Sequence, residues 1–263
     1  MRQLTVTAAL LLAALGAAQA RAQGFAALVS PPRFELTSKP GATVRQVIEI
    51  SNRASTAGRY HIHTSDFVLG ADYGVAFHDE LMPGSCRPWV AIERPTVTLP
   101  GGGTIRYRFE VQVPADAEPG ECRFAIMIEG DEPSLARAGQ MQLPVTGRIG
   151  VIVYVTIGDA QPQIEMFGPE VVTLNGRQVP ALRVHNSGTA HTRMSGFLTG
   201  KDATGRTYDF TPSDFPILPG EIREVFLTPS TTENPNPILT FPVSVQGTLE
   251  WANQSAQLDE RFK

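Results

Sequence analysis

The chain has 263 residues and a formal net charge of −4, with 22 Lys and Arg against 26 Asp and Glu. Nucleic-acid binding is not expected, because a mildly acidic chain lacks the positive field that attracts a phosphate backbone. The 21 prolines and 24 glycines are typical of many short strands joined by tight turns.

The N-terminus has the features of a signal peptide. Arg2 precedes an apolar run over residues 4–18, which is too short to span a membrane, and small residues then allow cleavage after Ala20 or Ala22. A buried N-terminal helix is the alternative interpretation. We expect residues 1–22 to be removed and the mature protein to be exported to the periplasm, or alternatively secreted. No later apolar run has membrane length, so no stable membrane insertion of the mature chain is expected.

Period-two alternation of apolar residues recurs along the mature chain, and no stretch sustains a 3.6-residue period for three turns. The sequence therefore predicts an all-β protein. In the first half the predicted strands are 26–29 continuing as 33–36, 43–52, 58–68, 89–99, 104–113, 122–129 and 141–156. In the second half they are 163–167, 181–186, 191–199, 207–210, 222–228, 241–251 and 257–262.

The length of the mature chain suits two sandwiches of about 100 residues each. A polar stretch at residues 158–162 divides them, so the expected domains are residues 23–158 and residues 159–263. Short motifs recur in both halves: a strand ends in Asn, and a later strand follows a Leu-Pro-Gly turn. We interpret the echo as duplication of one domain type and predict two tandem immunoglobulin-like β-sandwich domains.

Cys86 and Cys122 are the two cysteines of the chain. In an oxidising compartment an isolated pair usually forms a disulfide, which contributes roughly 3 to 4 kcal/mol for a loop of this length. A redox site normally has its cysteines close together, and a metal site needs more ligands than two thiolates. The sequence therefore predicts a structural disulfide.

The sequence contains no arrangement typical of catalysis. It has no nucleophile elbow, phosphate loop or dinucleotide fingerprint, and its carboxylates are scattered. His61 and His63 have a spacing that allows metal binding, but solvent-facing histidines are the simpler interpretation. We expect a protein that is not an enzyme and has no cofactor, with metal or small-molecule binding as the weakest alternative.

Alternation is most regular between residues 141 and 155, which would span about 50 Å if extended. Pro144 cannot donate a ladder hydrogen bond, so the first part of this segment is expected at a sheet edge. Such an edge favours pairing with another chain, whereas the alternative is a long core strand that runs into the linker. The apolar odd positions, interrupted by Gly147, are Met141, Leu143, Val145, Ile149, Val151, Val153 and Val155.

Four short motifs accompany the alternating segment. They are Val29-Ser30-Pro31-Pro32-Arg33, Glu49-Ile50-Ser51-Asn52, Leu99-Pro100-Gly101-Gly102 and Gly147-Arg148-Ile149-Gly150-Val151. With these motifs the chain resembles the PapD-like periplasmic chaperones of chaperone/usher pilus systems. The resemblance covers essentially the whole mature chain and includes its signal peptide, its two domains and the alternating strand.

The resemblance implies a chaperone that lends its final domain-one strand to a pilus or fimbrial subunit lacking its own last strand. The subunit and an outer-membrane usher are the implied partners. The residues implied to enter the subunit's open groove are Met141, Leu143, Val145 and Ile149.

The family also holds the subunit's terminal carboxylate with an Arg on the first strand and a Lys on the last. Arg33 matches the Arg, but Gly150 stands at the Lys position. Arg148, two residues earlier, is expected on the same side of the strand and is the candidate replacement. Both arginines can equally be solvated rim residues. The missing Lys also leaves open a structural or adhesive cell-envelope protein that uses its sandwiches as spacers.

Overall fold

The computed structural model describes residues 25–70, 73–131, 134–138, 141–235 and 237–263. The side chains of residues 134–138 and 141–144 lie outside that description, as does the expected signal peptide, residues 1–22. The described residues contain no α-helix and one short 3-10 helix, Arg87–Trp89. In this part of the chain no helix has the length and apolar character needed to cross a membrane.

Nineteen strands form within the described residues. In the first half of the chain these are β1 (Ala27–Ser30), β2 (Arg33–Ser38), β3 (Thr43–Asn52), β4 (Gly58–Leu69), β5 (Val75–His78), β6 (Val90–Ile92), β7 (Thr96–Leu99), β8 (Thr104–Gln112), β9 (Gly120–Gly130), β10 (Ser134–Ala138), β11 (Met141–Val145) and β12 (Arg148–Ile157). In the second half they are β13 (Ile164–Leu174), β14 (Arg177–Asn186), β15 (Ser195–Lys201), β16 (Thr207–Pro212), β17 (Ile222–Ser230), β18 (Val243–Trp251) and β19 (Gln254–Phe262).

The first domain is a sandwich of two sheets. One has the strand order β1-β3-β8-β6, and the other has the order β2-β12-β9-β4-β5 with β7 also paired to β4. Side chains alternate between the core and the outside along each strand, as in β2, where Phe34 and Leu36 point inward. The fully buried core side chains include Ile48, Ile50, Ile62, Tyr107, Phe124, Ile126, Ile128, Val151 and Val153.

The second domain has the strand order β13-β14-β17-β16-β15-β18-β19. Residues 222–226 of β17 pair with β14, whereas residues 227–230 pair with β16, so this strand passes from one layer to the other. A separate buried cluster that includes Leu182, Phe210 and Trp251 fills the space between the layers. The structure confirms the predicted all-β fold of two β-sandwich domains. β12 ends at Ile157 and β13 begins at Ile164, and we propose that the domain boundary lies between them.

An asparagine at a strand end has the same role in both domains. Asn52 Nδ2 donates to the carbonyl oxygen of Leu99 at 3.3 Å, and Asn186 Nδ2 donates to that of Ile217 at 2.9 Å. Both asparagines are buried. Each bond ties the end of a strand to the Leu-Pro-Gly turn of its own domain, which gives the sequence echo a structural basis.

The expected disulfide between Cys86 and Cys122 is present, with a Cα–Cα distance of 5.7 Å. Both residues are buried in the core of the first domain. The bond joins the loop before the 3-10 helix to the start of β9.

The prediction of one continuous strand over residues 141–156 is wrong. β11 and β12 are separated by Thr146 and Gly147 and belong to different sheets. The carbonyl oxygen of Gly147 accepts a hydrogen bond from the Gly130 amide at 3.0 Å. The Phe25 side chain lies so close to Gly147 that a Cβ there would overlap it. Phe25 therefore packs at the break between β11 and β12, which the alternation of apolar residues does not reveal.

The predicted strand over residues 89–99 also differs from the structure. It is two strands, β6 paired with β8 in one sheet and β7 paired with β4 in the other. The strands β5 and β10 were not predicted at all. Both follow directly on longer strands, β4 and β9, and complete hairpins with β4 and β11 respectively.

Candidate functional site

The last four strands of the first domain form a long, interrupted hairpin, with β9 and β10 on one arm and β11 and β12 on the other. β12 pairs with β9 from Arg148 opposite Glu129 to Ile157 opposite Gly120. β10 and β11 continue the hairpin beyond the break, in an antiparallel register that runs from residues 134 and 145 to residues 138 and 141. Among the strands that the structure describes, β11 pairs with β10 alone.

The start of β12 is a second segment with a ladder on one side. β2 runs parallel to β12, but its register begins at Arg33 opposite Ile152. Within the described strands, residues 148–151 of β12 therefore pair with β9 only. β11 and residues 148–151 of β12 are therefore two short edge segments, and the two-residue break separates them.

The residues expected to enter a subunit groove lie on both segments. Met141, Leu143 and Val145 occupy alternate positions of β11. Val145 is opposite Ser134, and its side chain is 46% exposed. Ile149 lies beyond the break, half-buried opposite Ile128 of β9. The fourth predicted residue is therefore on a different strand and sheet from the other three.

Arg33 lies at the edge of the first domain next to the second. Its Nε is 2.9 Å from Oε1 of Glu35 on the same strand, and its guanidinium NH1 is 3.9 Å from Oδ2 of Asp214 in the second domain. The Arg33 side chain is 39% exposed. It is therefore a cationic group in the cleft between the domains.

Arg148 has different partners. Its guanidinium NH1 is 3.9 Å from Oε1 of Glu129, and its Cζ is 5.9 Å from the ring centroid of Phe77. Because Arg33 faces Ile152, the backbone of Arg148 is displaced from it by four residues, about 13 Å along the strand. The structure does not bring Arg33 and Arg148 together as one pair.

The space at Gly150 is occupied by an aromatic ring. A Cβ at Gly150 would be 2.5 Å from Cζ of Phe77 and 3.2 Å from Sδ of Met127. Phe77 lies on β5, which pairs with the end of β4. A side chain at this position would therefore require the Phe77 ring to move.

The segment between β4 and β5 also contacts the second domain. Tyr73, which has a φ of 64°, has its ring centroid 4.5 Å from that of Phe215 and 5.0 Å from that of Phe226. The Cζ of Arg223 is 5.2 Å from the Tyr73 ring centroid. This aromatic contact joins the two domains on the side of the β4–β5 hairpin.

Sequence reasoning missed a cluster of charged residues between the domains, which we term the interdomain charge cluster. Tyr154 lies beside it, and burial raises the pKa of this phenol to about 12. The residues come from distant parts of the chain, and no spacing pattern in the sequence indicates that they meet. The members are Arg33, Glu35 and Glu121 of the first domain and His191, Arg193 and Asp214 of the second.

His61 and His63 stack on each other with ring centroids 5.5 Å apart. Nε2 of His63 is 3.5 Å from Oδ1 of Asp79. Within the described ranges, no group of three or more His, Cys, Asp or Glu side chains is placed to hold a metal ion. The described residues therefore offer no site for the metal-binding alternative that His61 and His63 suggested.

No protein-family model matches the chain, and no curated protein sequence matches it either. Solved structures similar to it include several chaperones. The Escherichia coli chaperone DraB has 13% identity and a TM-score of 0.47, with 92% of this chain and 98% of that chain covered. The Pseudomonas aeruginosa CupB2 chaperone has 10% identity and a TM-score of 0.45, with 90% and 100% covered. A chain of the Salmonella enterica complex between the SafA pilin and the SafB chaperone has 10% identity and a TM-score of 0.46, with 91% and 97% covered. At these identities the likeness concerns the fold alone.

Proposed function

We propose that this chain is a periplasmic chaperone that donates an edge strand to secreted pilus or fimbrial subunits and delivers them for assembly. The observation that carries the proposal is the position of β11. This strand has β10 as its ladder partner among the described strands, and its alternate residues Met141, Leu143 and Val145 are apolar.

An edge strand with apolar side chains on one face is an aggregation hazard unless a partner covers it. Strand addition removes that hazard in a specific way. The backbone of the edge supplies hydrogen bonds to the incoming chain, and alternate side chains fill pockets that select the partner. The five residues of β11 extend over about 17 Å, and the start of β12 lengthens the available edge.

The proposed contacts of the subunit divide between two regions. Met141, Leu143 and Val145 enter its open groove from β11, and Ile149 contributes from β12. Arg33 attracts its terminal carboxylate, because a guanidinium offers a charge-assisted pair of hydrogen bonds to such a group. Arg148 stays a proposed contact at the rim of the donated strand, where its guanidinium is about half-exposed.

The resemblance of the sequence motifs to PapD-like chaperones indicates the class of client and the presence of an outer-membrane usher. The exported location follows from the expected cleavage of residues 1–22. The proposed activity needs no catalytic group and no cofactor, since backbone pairing, apolar contact and an ion pair to the terminal carboxylate stabilise the client.

Co-expression tests the proposal. The full chain, with its signal peptide, is expressed together with each small secreted subunit encoded beside its gene. We expect a stable one-to-one complex in the soluble periplasm, and degradation of the subunit without the chaperone. Val145→Asp should abolish the complex, because it places a charge in the donated strand. Ile238→Asp is the matched control, since this aliphatic residue is 78% exposed in the second domain.

Two results would contradict the proposal. Subunits that accumulate equally without the chain need no chaperone of this kind, and a complex that survives Val145→Asp does not use β11. Recovery of the protein in the envelope fraction, with no subunit bound, would instead support the structural or adhesive alternative.

A further inference from the structure

We propose that Arg33 and Arg193 form one carboxylate-binding site that spans the two domains, and that Asp214 occupies this site in the client-free protein. The inference rests on the proposed function, because it identifies which groups of this chain receive the client's terminal carboxylate. It adds a residue of the second domain and an internal competitor, neither of which the sequence motifs indicate.

Glu35 is a shared neighbour of the two guanidiniums. Its Oε1 is 2.9 Å from Nε of Arg33 and 3.5 Å from Nε of Arg193. Nε2 of His191 is 3.7 Å from the same oxygen. Three side chains therefore converge on one half-exposed carboxylate, and the contact with Arg33 is the one of hydrogen-bond length.

Arg193 is the less solvated of the two arginines. Its side chain is 16% exposed, and its buried Nε has no hydrogen-bond partner among the described residues. One guanidinium nitrogen, NH1, donates to the backbone carbonyl oxygen of Asp214 at 2.5 Å. A largely buried guanidinium with incomplete hydrogen bonding gains more from an added anion than a solvated one does.

Asp214 is loosely held at the same place. Its Oδ1 is 3.7 Å from NH1 of Arg193, and its Oδ2 is 3.9 Å from NH1 of Arg33. Both distances exceed that of a hydrogen bond. The Asp214 side chain is also 72% exposed. Its attraction to the arginines is therefore weak and screened by solvent.

The charges explain why Asp214 must leave when a client binds. Arg33 and Arg193 are already balanced by Glu35 and Asp214, so a third carboxylate adds repulsion unless one of the two departs. Glu35 has the shorter contacts, and Asp214 has the longer ones. Asp214 is therefore the carboxylate that a client displaces.

The remaining neighbours of the site belong to both domains. Oε2 of Glu121 accepts a hydrogen bond from His191, and its buried Oε1 has no hydrogen-bond partner among the described residues. Tyr154 stacks on the His191 ring at a centroid distance of 3.9 Å. A client carboxylate at this site bridges β2 of the first domain and the segment before β15 of the second, so its binding depends on the angle between the domains.

Fluorescence anisotropy of the purified mature chain tests the inference. The probe is a fluorescein-labelled six-residue peptide of alternating threonine and valine, prepared with a free C-terminal carboxylate and with a C-terminal amide. We expect the acid to bind more tightly than the amide. Arg193→Gln should raise the Kd of the acid about tenfold and leave that of the amide within about twofold, because it removes a charge-assisted contact.

Asp214→Asn should have the opposite effect and lower the Kd of the acid about threefold, because the internal competitor is neutralised. Asp209→Asn is its control, since it removes a charge from an exposed position of the same domain. Arg45→Gln is the control for Arg193→Gln, since Arg45 pairs with Glu110 on the other sheet of the first domain at 3.0 Å. Arg193→Lys keeps the charge and should retain most of the preference for the acid.

Equal affinity of the wild-type chain for acid and amide would overturn the inference, as would absence of binding up to about 1 mM peptide. An unchanged or higher Kd of the acid in a folded Asp214→Asn protein would overturn the role of Asp214. The two peptides have the same backbone and side chains, so the difference between acid and amide reports the carboxylate site and not strand pairing. If no subunit complex forms but the peptide acid still binds more tightly than the amide, strand donation alone is refuted. If the complex forms but acid and amide bind equally, only this carboxylate site is refuted.

Discussion

Nδ1 of His191 in the second domain lies 2.5 Å from Oε2 of Glu121 in the first. The backbone amide of His191 donates to the same oxygen at 3.0 Å. The Glu121 side chain is 1% exposed and that of His191 is 7% exposed, and the imidazole stacks on Tyr154. The two sandwiches therefore meet at a buried polar contact and not only through their linker.

His191→Ala should destabilise the protein by about 2 to 4 kcal/mol, because it removes the imidazole that pairs with the buried Glu121 carboxylate. Urea unfolding at pH 7 measures the change. His185→Ala is the matched control, since that imidazole is 3.6 Å from the exposed Glu165 and its loss should cost about 0.5 kcal/mol. Equal effects of the two substitutions would show that the His191 contact does not join the domains.

Gly150→Ala should destabilise the first domain by about 1 to 3 kcal/mol, because the new methyl group overlaps the ring of Phe77. Unfolding is followed by the fluorescence of Trp89 in a Trp251→Phe background, since the chain has two tryptophans and each domain contains one. Gly120→Ala is a control, because no atom lies within 4 Å of its added Cβ.

Phe77→Ala tests whether the ring causes that cost. In this background Gly150→Ala should cost less than half as much, since the overlapping atoms are gone. Strict additivity of the two substitutions would mean that Phe77 is not what excludes a side chain at position 150.

Asp202→Asn should destabilise the second domain by about 1 to 3 kcal/mol at pH 7. The Asp202 carboxylate accepts bonds from the Thr204 hydroxyl at 2.6 Å and from the Tyr208 hydroxyl at 3.0 Å, and it is 7% exposed. The amide of Asn replaces one accepting oxygen with a donor. Trp251 fluorescence in a Trp89→Phe background reports this domain, and Asp209→Asn is the exposed control.

The same carboxyl group predicts a pH dependence. Burial raises the pKa of Asp202. Hydrogen bonds from Thr204, Tyr208 and the Arg206 amide together lower it by more, so the pKa lies below the ordinary value. A lowered pKa stabilises the folded state above the unfolded pKa of about 3.9, and this contribution is lost as the pH falls through the folded pKa. The difference between wild type and Asp202→Asn should be constant from pH 7 to 5 and decrease toward pH 3. A constant difference down to pH 3 would contradict this assignment.

Replacement of both Cys86 and Cys122 by Ser should lower the stability of the first domain by about 4 kcal/mol, because the bond closes a segment of 36 residues in the unfolded chain. Calorimetry of the oxidised wild type and the double variant measures the loss. Reduction of the wild type should reproduce it, whereas the Trp251 signal of the second domain should change much less.

The alternation of apolar residues between 141 and 155 predicts some features of this segment and not others. Their period correctly predicts β structure and the position of Pro144 on a strand with one ladder partner among those described. It does not predict the break at Gly147, where the side chain of Phe25, more than 100 residues away in the chain, fills the space beside the glycine. The Cys86–Cys122 bond was predictable, since two cysteines leave one possible pairing.

The sequence alone determined the class of fold, the disulfide and the β structure of the segment on which the proposed function depends. These features follow from local periodicity, turn residues and composition, which each segment carries by itself. Only the tertiary structure decided that Phe77 covers Gly150, that Arg33 lies beside Arg193 instead of Arg148, and that Glu121 meets His191. These contacts depend on strand register and on packing between segments that are remote in the chain, and no local pattern records them.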